Sequence, residues 1–162
     1  MAVARRGLVL LLTAAGAASA QPRQEEPLRS LYGFAELQLR ASRLAASRET
    51  REEVRAFATE MARWREAQLP RLQSFLEGRG IRDLQMLEDQ ETVWEGLQRL
   101  DFLALSRRYA EVQVQALELE IPGYERAVNH PEPAISALAN EMLPDLRRLL
   151  DGAKRMLEAV GP

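Results

Sequence analysis

A chain of 162 residues, 46% of them hydrophobic, is long enough to enclose one apolar core. Of its 22 basic residues, Arg5 and Arg6 precede an apolar run; the remaining 20 face 24 acidic residues, a net charge of −4 with no basic cluster of the kind that captures nucleic acid. The absence of cysteine excludes disulfides, thiol nucleophiles and the lipid anchoring of an exported protein at a cleavage-site cysteine.

In chain order, Arg5 and Arg6 lead into Leu8 to Ala18, which closes on Ala18-Ser19-Ala20. A positive start, a short apolar middle and an Ala-x-Ala end predict a secretory signal peptide over 1–20. The apolar run falls short of the roughly 20 residues that span a bilayer. The mature chain is expected to begin near Gln21 and to be periplasmic or secreted, or associated with the outer membrane. With no second membrane-length segment, it is not expected to span one. Residues 21–27 (QPRQEEP) read as a flexible spacer before a domain over 28–162.

From Leu28 to about Ser47 the apolar period is helical, with Leu31, Ala35, Leu39, Ser42 and Ala46 on one stripe. Thr50-Arg51-Glu52-Glu53 has the spacing of a capping box, in which the Thr50 hydroxyl and Glu53 carboxylate satisfy free amides of a second helix. That helix runs to Glu77, turns Val54, Phe57, Met61, Trp64, Leu69, Leu72 and Phe75 inward, and ends at Gly78 and Gly80. Residues 81–100 are the least determined; a shorter helix over Asp89 to Arg99 would face Val93, Trp94 and Leu97 to the body. Asp101 is placed to cap a third long helix carrying Leu105, Tyr109, Val112, Ala116 and Leu119, which Pro122-Gly123 kinks or ends. After a turn at Asn129 to Pro131, Pro133 opens the last helix and Gly161 closes it. Its stripe of Ile135, Leu138, Met142, Leu146, Leu149, Ala153, Met156 and Val160 is the cleanest in the chain. Pro70, Pro122 and Pro144 each remove one ladder bond, leaving the carbonyls of Glu66, Glu118 and Asn140 without an amide; gentle bending around the core accounts for them. The fold class expected is all-α: an up-and-down four-helix bundle with a short extra helix or irregular connector between the second and third long helices.

Three segments resemble a known family. They are Glu53-Val54-Arg55-Ala56-Phe57-Ala58-Thr59-Glu60-Met61, the pair Tyr109 and Gln113, and Leu143-Pro144-Asp145-Leu146. With the signal peptide and helix order, they resemble the ferritin-like domain-of-unknown-function family of exported bacterial proteins, over roughly Leu31 to Ala159. The resemblance implies a ferritin-like four-helix bundle and brings no established activity. The chain departs from the family at three positions where relatives commonly carry histidine: Arg65, Leu117 and Leu149. Whatever those histidines do elsewhere has no counterpart here.

A di-iron or di-manganese centre in a ferritin-like bundle takes inward Glu residues and two Glu-x-x-His motifs. The one histidine, His130, lies in the turn beside Pro131, and no Glu-x-x-His exists. No metal or other cofactor is therefore expected. One histidine supports no nucleophilic triad, and acid pairs such as Glu118 and Glu120 read as solvated faces, so no enzyme is expected either. The odd residue is Arg65, four after Met61 on the inward side. Its stem is expected to lie along apolar surface with the head in water; the alternative is a buried pair with Glu118 or another third-helix acid. Trp64 and Trp94 are candidate contact residues for a partner, weighed against ordinary packing. The reading is an exported, metal-free bundle with a binding or structural role in the cell envelope. Its partner would be an envelope protein or a small apolar ligand held near the Pro122 and Pro144 kinks. A metal-dependent oxidase or metal store is the alternative.

Overall fold

The computed structural model describes residues 22–162, and the predicted signal peptide lies outside them. Five helices follow in order: α1 (Pro22–Ser47), α2 (Glu52–Gly78), α3 (Glu88–Gln98), α4 (Phe102–Ala127) and α5 (Pro133–Val160). No strand occurs among the described residues. The spacer expected at 21–27 is helical backbone from Pro22 onward, since α1 starts there.

α1 packs mainly on α2, and α4 mainly on α5. Both hairpins turn over short links and are antiparallel. In the first, Gln38 meets Arg65 and Tyr32 clusters with Leu72 and Leu76. In the second, Glu125 pairs with Arg147 and Glu118 with Lys154. The hairpins meet along two further seams. On one, Leu31 lies beside Gly123, Gln38 meets Glu120, Ser42 meets Tyr109, and Arg48 donates to the carbonyls of Gln98 and Leu100. On the other, Arg79 pairs with Glu132, Arg71 with Glu141 and Glu60 with Arg148. α1 is therefore antiparallel to α4, and α2 to α5, which leaves α2 and α4 running the same way. The up-and-down order expected from sequence is corrected to up, down, down, up.

That order requires residues 79–101 to cross the length of the molecule, roughly 40 Å for a helix the length of α2. The crossing carries α3, which lies over the seam between α1 and α4. The Gln90 amide donates to the Ser30 carbonyl (3.4 Å), and Leu100 arrives at Arg48. Gly33 makes the docking possible: a Cβ there would sit 1.8 Å from the Gln90 side-chain oxygen. The same oxygen accepts from the Leu87 amide (2.8 Å) and holds the first turn of α3.

The last helix has the predicted bounds, with Ile135, Met142, Leu146, Leu149, Ala153 and Met156 buried. Three expectations fail locally. The capping box does not form; α2 begins at Glu52 with Arg51 as its cap residue and no side-chain cap. Thr50 is buried, and its hydroxyl donates instead to the Ala45 carbonyl (2.9 Å), closing the end of α1, while the Arg51 amide donates to the Ser106 hydroxyl (2.9 Å). Asp101 stands at the cap position of α4 without a cap bond. Leu119, expected in the core, is 66% exposed. The buried face of α4 advances by four residues from Ala116 to Glu120 rather than by three, so position 119 turns outward. All three prolines lie within unbroken helices, Pro70 and Pro144 on exposed faces and Pro122 half-buried.

Candidate functional site

Among the described residues, the place where chemistry concentrates is the middle of the molecule. Arg65 on α2 and Glu120 on α4 are each wholly buried. The Arg65 Nη2 donates to Glu120 Oε2 at 2.5 Å. Gln38 on α1 closes the arrangement: its carbonyl oxygen accepts from Arg65 Nε (3.1 Å) and Nη2 (2.8 Å), and its amide donates to the same Glu120 oxygen (3.0 Å). Three helices are thus tied at one level by a guanidinium, a carboxylate and an amide that bridges them. The Trp64 ring covers the guanidinium, whose carbon lies 4.6 Å from the ring centroid. Trp64 is itself half-buried and donates its indole N–H to Asp145 of α5 (3.2 Å).

Tyr124, one turn after Glu120, is buried in the same region. Loss of solvent pushes its hydroxyl well above the ordinary tyrosine range; the Glu120 charge adds to this and Arg65 opposes it. A second buried polar contact lies further along the seam, where the Ser42 and Tyr109 hydroxyls meet at 2.7 Å. Burial likewise raises the Tyr109 hydroxyl, and its bond to Ser42 offsets this only in part.

The favoured reading of Arg65 is corrected: its head is enclosed rather than solvated. The alternative, a buried pair with a third-helix acid, is the arrangement found, with Glu120 rather than Glu118 as the acid. Two residues along a helix turn through about 200°, so Glu118 and Glu120 occupy opposite faces. Glu118 is exposed, 3.6 Å from Lys154 Nζ. Glu120, read as part of a solvated pair, is the buried one. The sequence reading assigns no role to Gln38 or Tyr124, and Glu120 enters it only as half of a solvated pair. Their signal was a polar residue in register with apolar neighbours: Gln38 stands one turn before Ser42 on the α1 stripe, and Glu120 one turn after Ala116. Trp94 is half-buried on α3 against the main core. His130 lies exposed in the turn, its Nδ1 accepting from the Glu132 amide (3.0 Å).

The donor set does not fit the metal that a ferritin-like bundle implies. At the centre, one carboxylate is already charge-balanced by a guanidinium 2.5 Å away. No group of three or more His, Cys, Asp or Glu side chains that could hold an ion occurs among the described residues. Arg65, Leu117 and Leu149, the three positions singled out by the family resemblance, are all buried, and none offers a metal ligand. A mostly apolar groove of about 120 Å³ lies between α1, α3 and α4, with Phe34, Leu37, Val93, Val112, Ala116 and Leu119 among its lining residues, away from Pro144. No described helix is long and apolar enough to cross a membrane.

In comparison with known proteins, a family described as Domain of unknown function (DUF4142) matches residues 10–156. No curated protein and no solved structure matches.

Proposed function

The chain belongs to the DUF4142 family, and from that premise we propose that it is an exported, metal-free, ferritin-like four-helix bundle with a non-catalytic binding or structural role in the bacterial cell envelope. The observation that carries the reading is the enclosed Arg65–Glu120–Gln38 centre. A bundle that works on a metal gathers carboxylates and imidazoles around a cation taken from solution. This chain instead supplies the cation covalently, as Arg65, against one carboxylate. A bound divalent ion there would face an immovable positive charge within contact distance. The single crossover between two helical hairpins is the connectivity of ferritin-like bundles and supports that fold. Export rests on the Arg5-Arg6, Leu8–Ala18 and Ala18-Ser19-Ala20 pattern.

A carrier of a small apolar ligand ranks second, favoured by the groove beside Leu119. At about 120 Å³ that groove is below the roughly 300–1,000 Å³ usual for small-molecule sites. A metal-dependent oxidase or metal store ranks third, for want of ligands. Elemental analysis of protein isolated from the producing cell's envelope tests the reading, together with N-terminal sequencing. Less than a tenth of an equivalent of any transition metal, and a start near Gln21, are expected. One stoichiometric metal per chain would overturn the metal-free reading, and an uncleaved Met1 in the cytoplasmic fraction would overturn export.

A further inference from the structure

Three side chains of the buried centre each keep one polar atom without a hydrogen-bond partner in the protein: Arg65 Nη1, Glu120 Oε1 and Tyr124 Oη. All three residues are essentially free of solvent exposure. Glu120 and Tyr124 are one helical turn apart on α4 and share a face. Arg65 already touches the other Glu120 oxygen at 2.5 Å. The Tyr124 hydroxyl feels the charges of both Glu120 and Arg65, which puts it in the neighbourhood of their unused atoms. Together the three atoms offer a cationic donor, an anionic acceptor and a hydroxyl that does either.

We infer that an internal water bridges Arg65, Glu120 and Tyr124, and that it is an integral part of the centre. The chemistry of the three atoms selects the occupant. A cation would be repelled by Arg65 and an anion by Glu120, while an apolar molecule would satisfy none of them. The occupant must accept from Nη1, donate to Oε1 and exchange one bond with the Tyr124 hydroxyl. Water does all three, which is the usual number of bonds for a buried water. Native interiors rarely leave such atoms unpaired. Gln113, two turns before Glu120 and also buried, has both ends of its amide without a protein partner, which extends the polar line along α4.

The discriminating variant is Tyr124→Phe, which keeps the ring and removes only the hydroxyl. If the hydroxyl is bridged by water, its loss strands a bound water and lowers the melting temperature by several degrees. If the hydroxyl is dry and unpaired, its removal relieves a desolvated group and the melting temperature holds or rises. Oxygen-17 relaxation dispersion on both proteins counts waters that stay bound beyond nanoseconds. The expected result is a dispersion for the parent protein that loses amplitude in Tyr124→Phe, with a lower melting temperature. A parent dispersion that is flat, an amplitude unchanged in the variant, or a variant melting at or above the parent overturns the inference. A dry centre would leave the metal-free reading standing, whereas a stoichiometric ion in the native mass spectrum would end both.

Discussion

The two halves of the core are built by different rules. α5 contributes a continuous apolar stripe, and its buried residues Ile135 to Met156 include no polar side chain. At the level of Arg65, by contrast, α1, α2 and α4 join through a guanidinium, a carboxylate and an amide. The α5 side is held by area, which adds up contact by contact and tolerates small errors. The other side is held by complementarity, in which every partner depends on the rest. Removing a methylene from the first should cost something graded; removing one partner from the second should cost nearly everything the pairing protects.

The largest effect is expected for Glu120→Ala. It leaves Arg65 enclosed without a counter-charge and should destabilise by about 3–5 kcal/mol, read from urea denaturation with an unchanged slope. Leu146→Ala on the apolar side should cost about 2–5 kcal/mol, scaling with the cavity left. If Glu120→Ala proved milder than Leu146→Ala, the contrast between the halves would break. Gly33→Ala probes the crossover rather than either half. The added methyl collides with Gln90, so α3 must shift at a cost of about 1–3 kcal/mol; amide exchange should quicken across α3 before the long helices.

The pH response sharpens the same comparison. Burial raises the hydroxyls of Tyr109 and Tyr124 above the ordinary value near 10. A folded-state value above the unfolded one means the unfolded chain releases these protons first. The contribution is fully present below about pH 10 and is lost as pH rises above it. Alkaline melting should therefore steepen above that point, and Tyr109→Phe should flatten it. The smallest effect is expected on the surface seam between α2 and α5. Glu60→Gln breaks an exposed pair with Arg148 and should change stability by less than about 1 kcal/mol, shrinking further in salt.

What the sequence disclosed follows the same division. α5 was legible to the residue because an apolar face at period 3.6 between Pro133 and Gly161 has one helical solution. The α3 segment was legible in outline from Val93, Trp94 and Leu97. The direction of α4 was not, because the pattern of a helix is the same whichever way it points, and only pairs such as Ser42 with Tyr109 fix it. The polar centre escaped for a related reason. Glu118, Leu119 and Glu120 differ by 100° steps, and a drift of one residue in the buried face decides which is inside. Thr50 shows the same limit locally: the capping-box letters were present, but its hydroxyl found the Ala45 carbonyl first.

The most direct test of a core closed on its own charge replaces the whole arrangement at once. Gln38→Leu, Arg65→Met and Glu120→Leu together remove the guanidinium, the carboxylate and the bridging amide and leave apolar groups of similar size. Equilibrium denaturation of this triple variant should return it to the parent's stability or above it, while Glu120→Ala alone stays well below. A triple variant as unstable as Glu120→Ala, or less stable, would contradict the account.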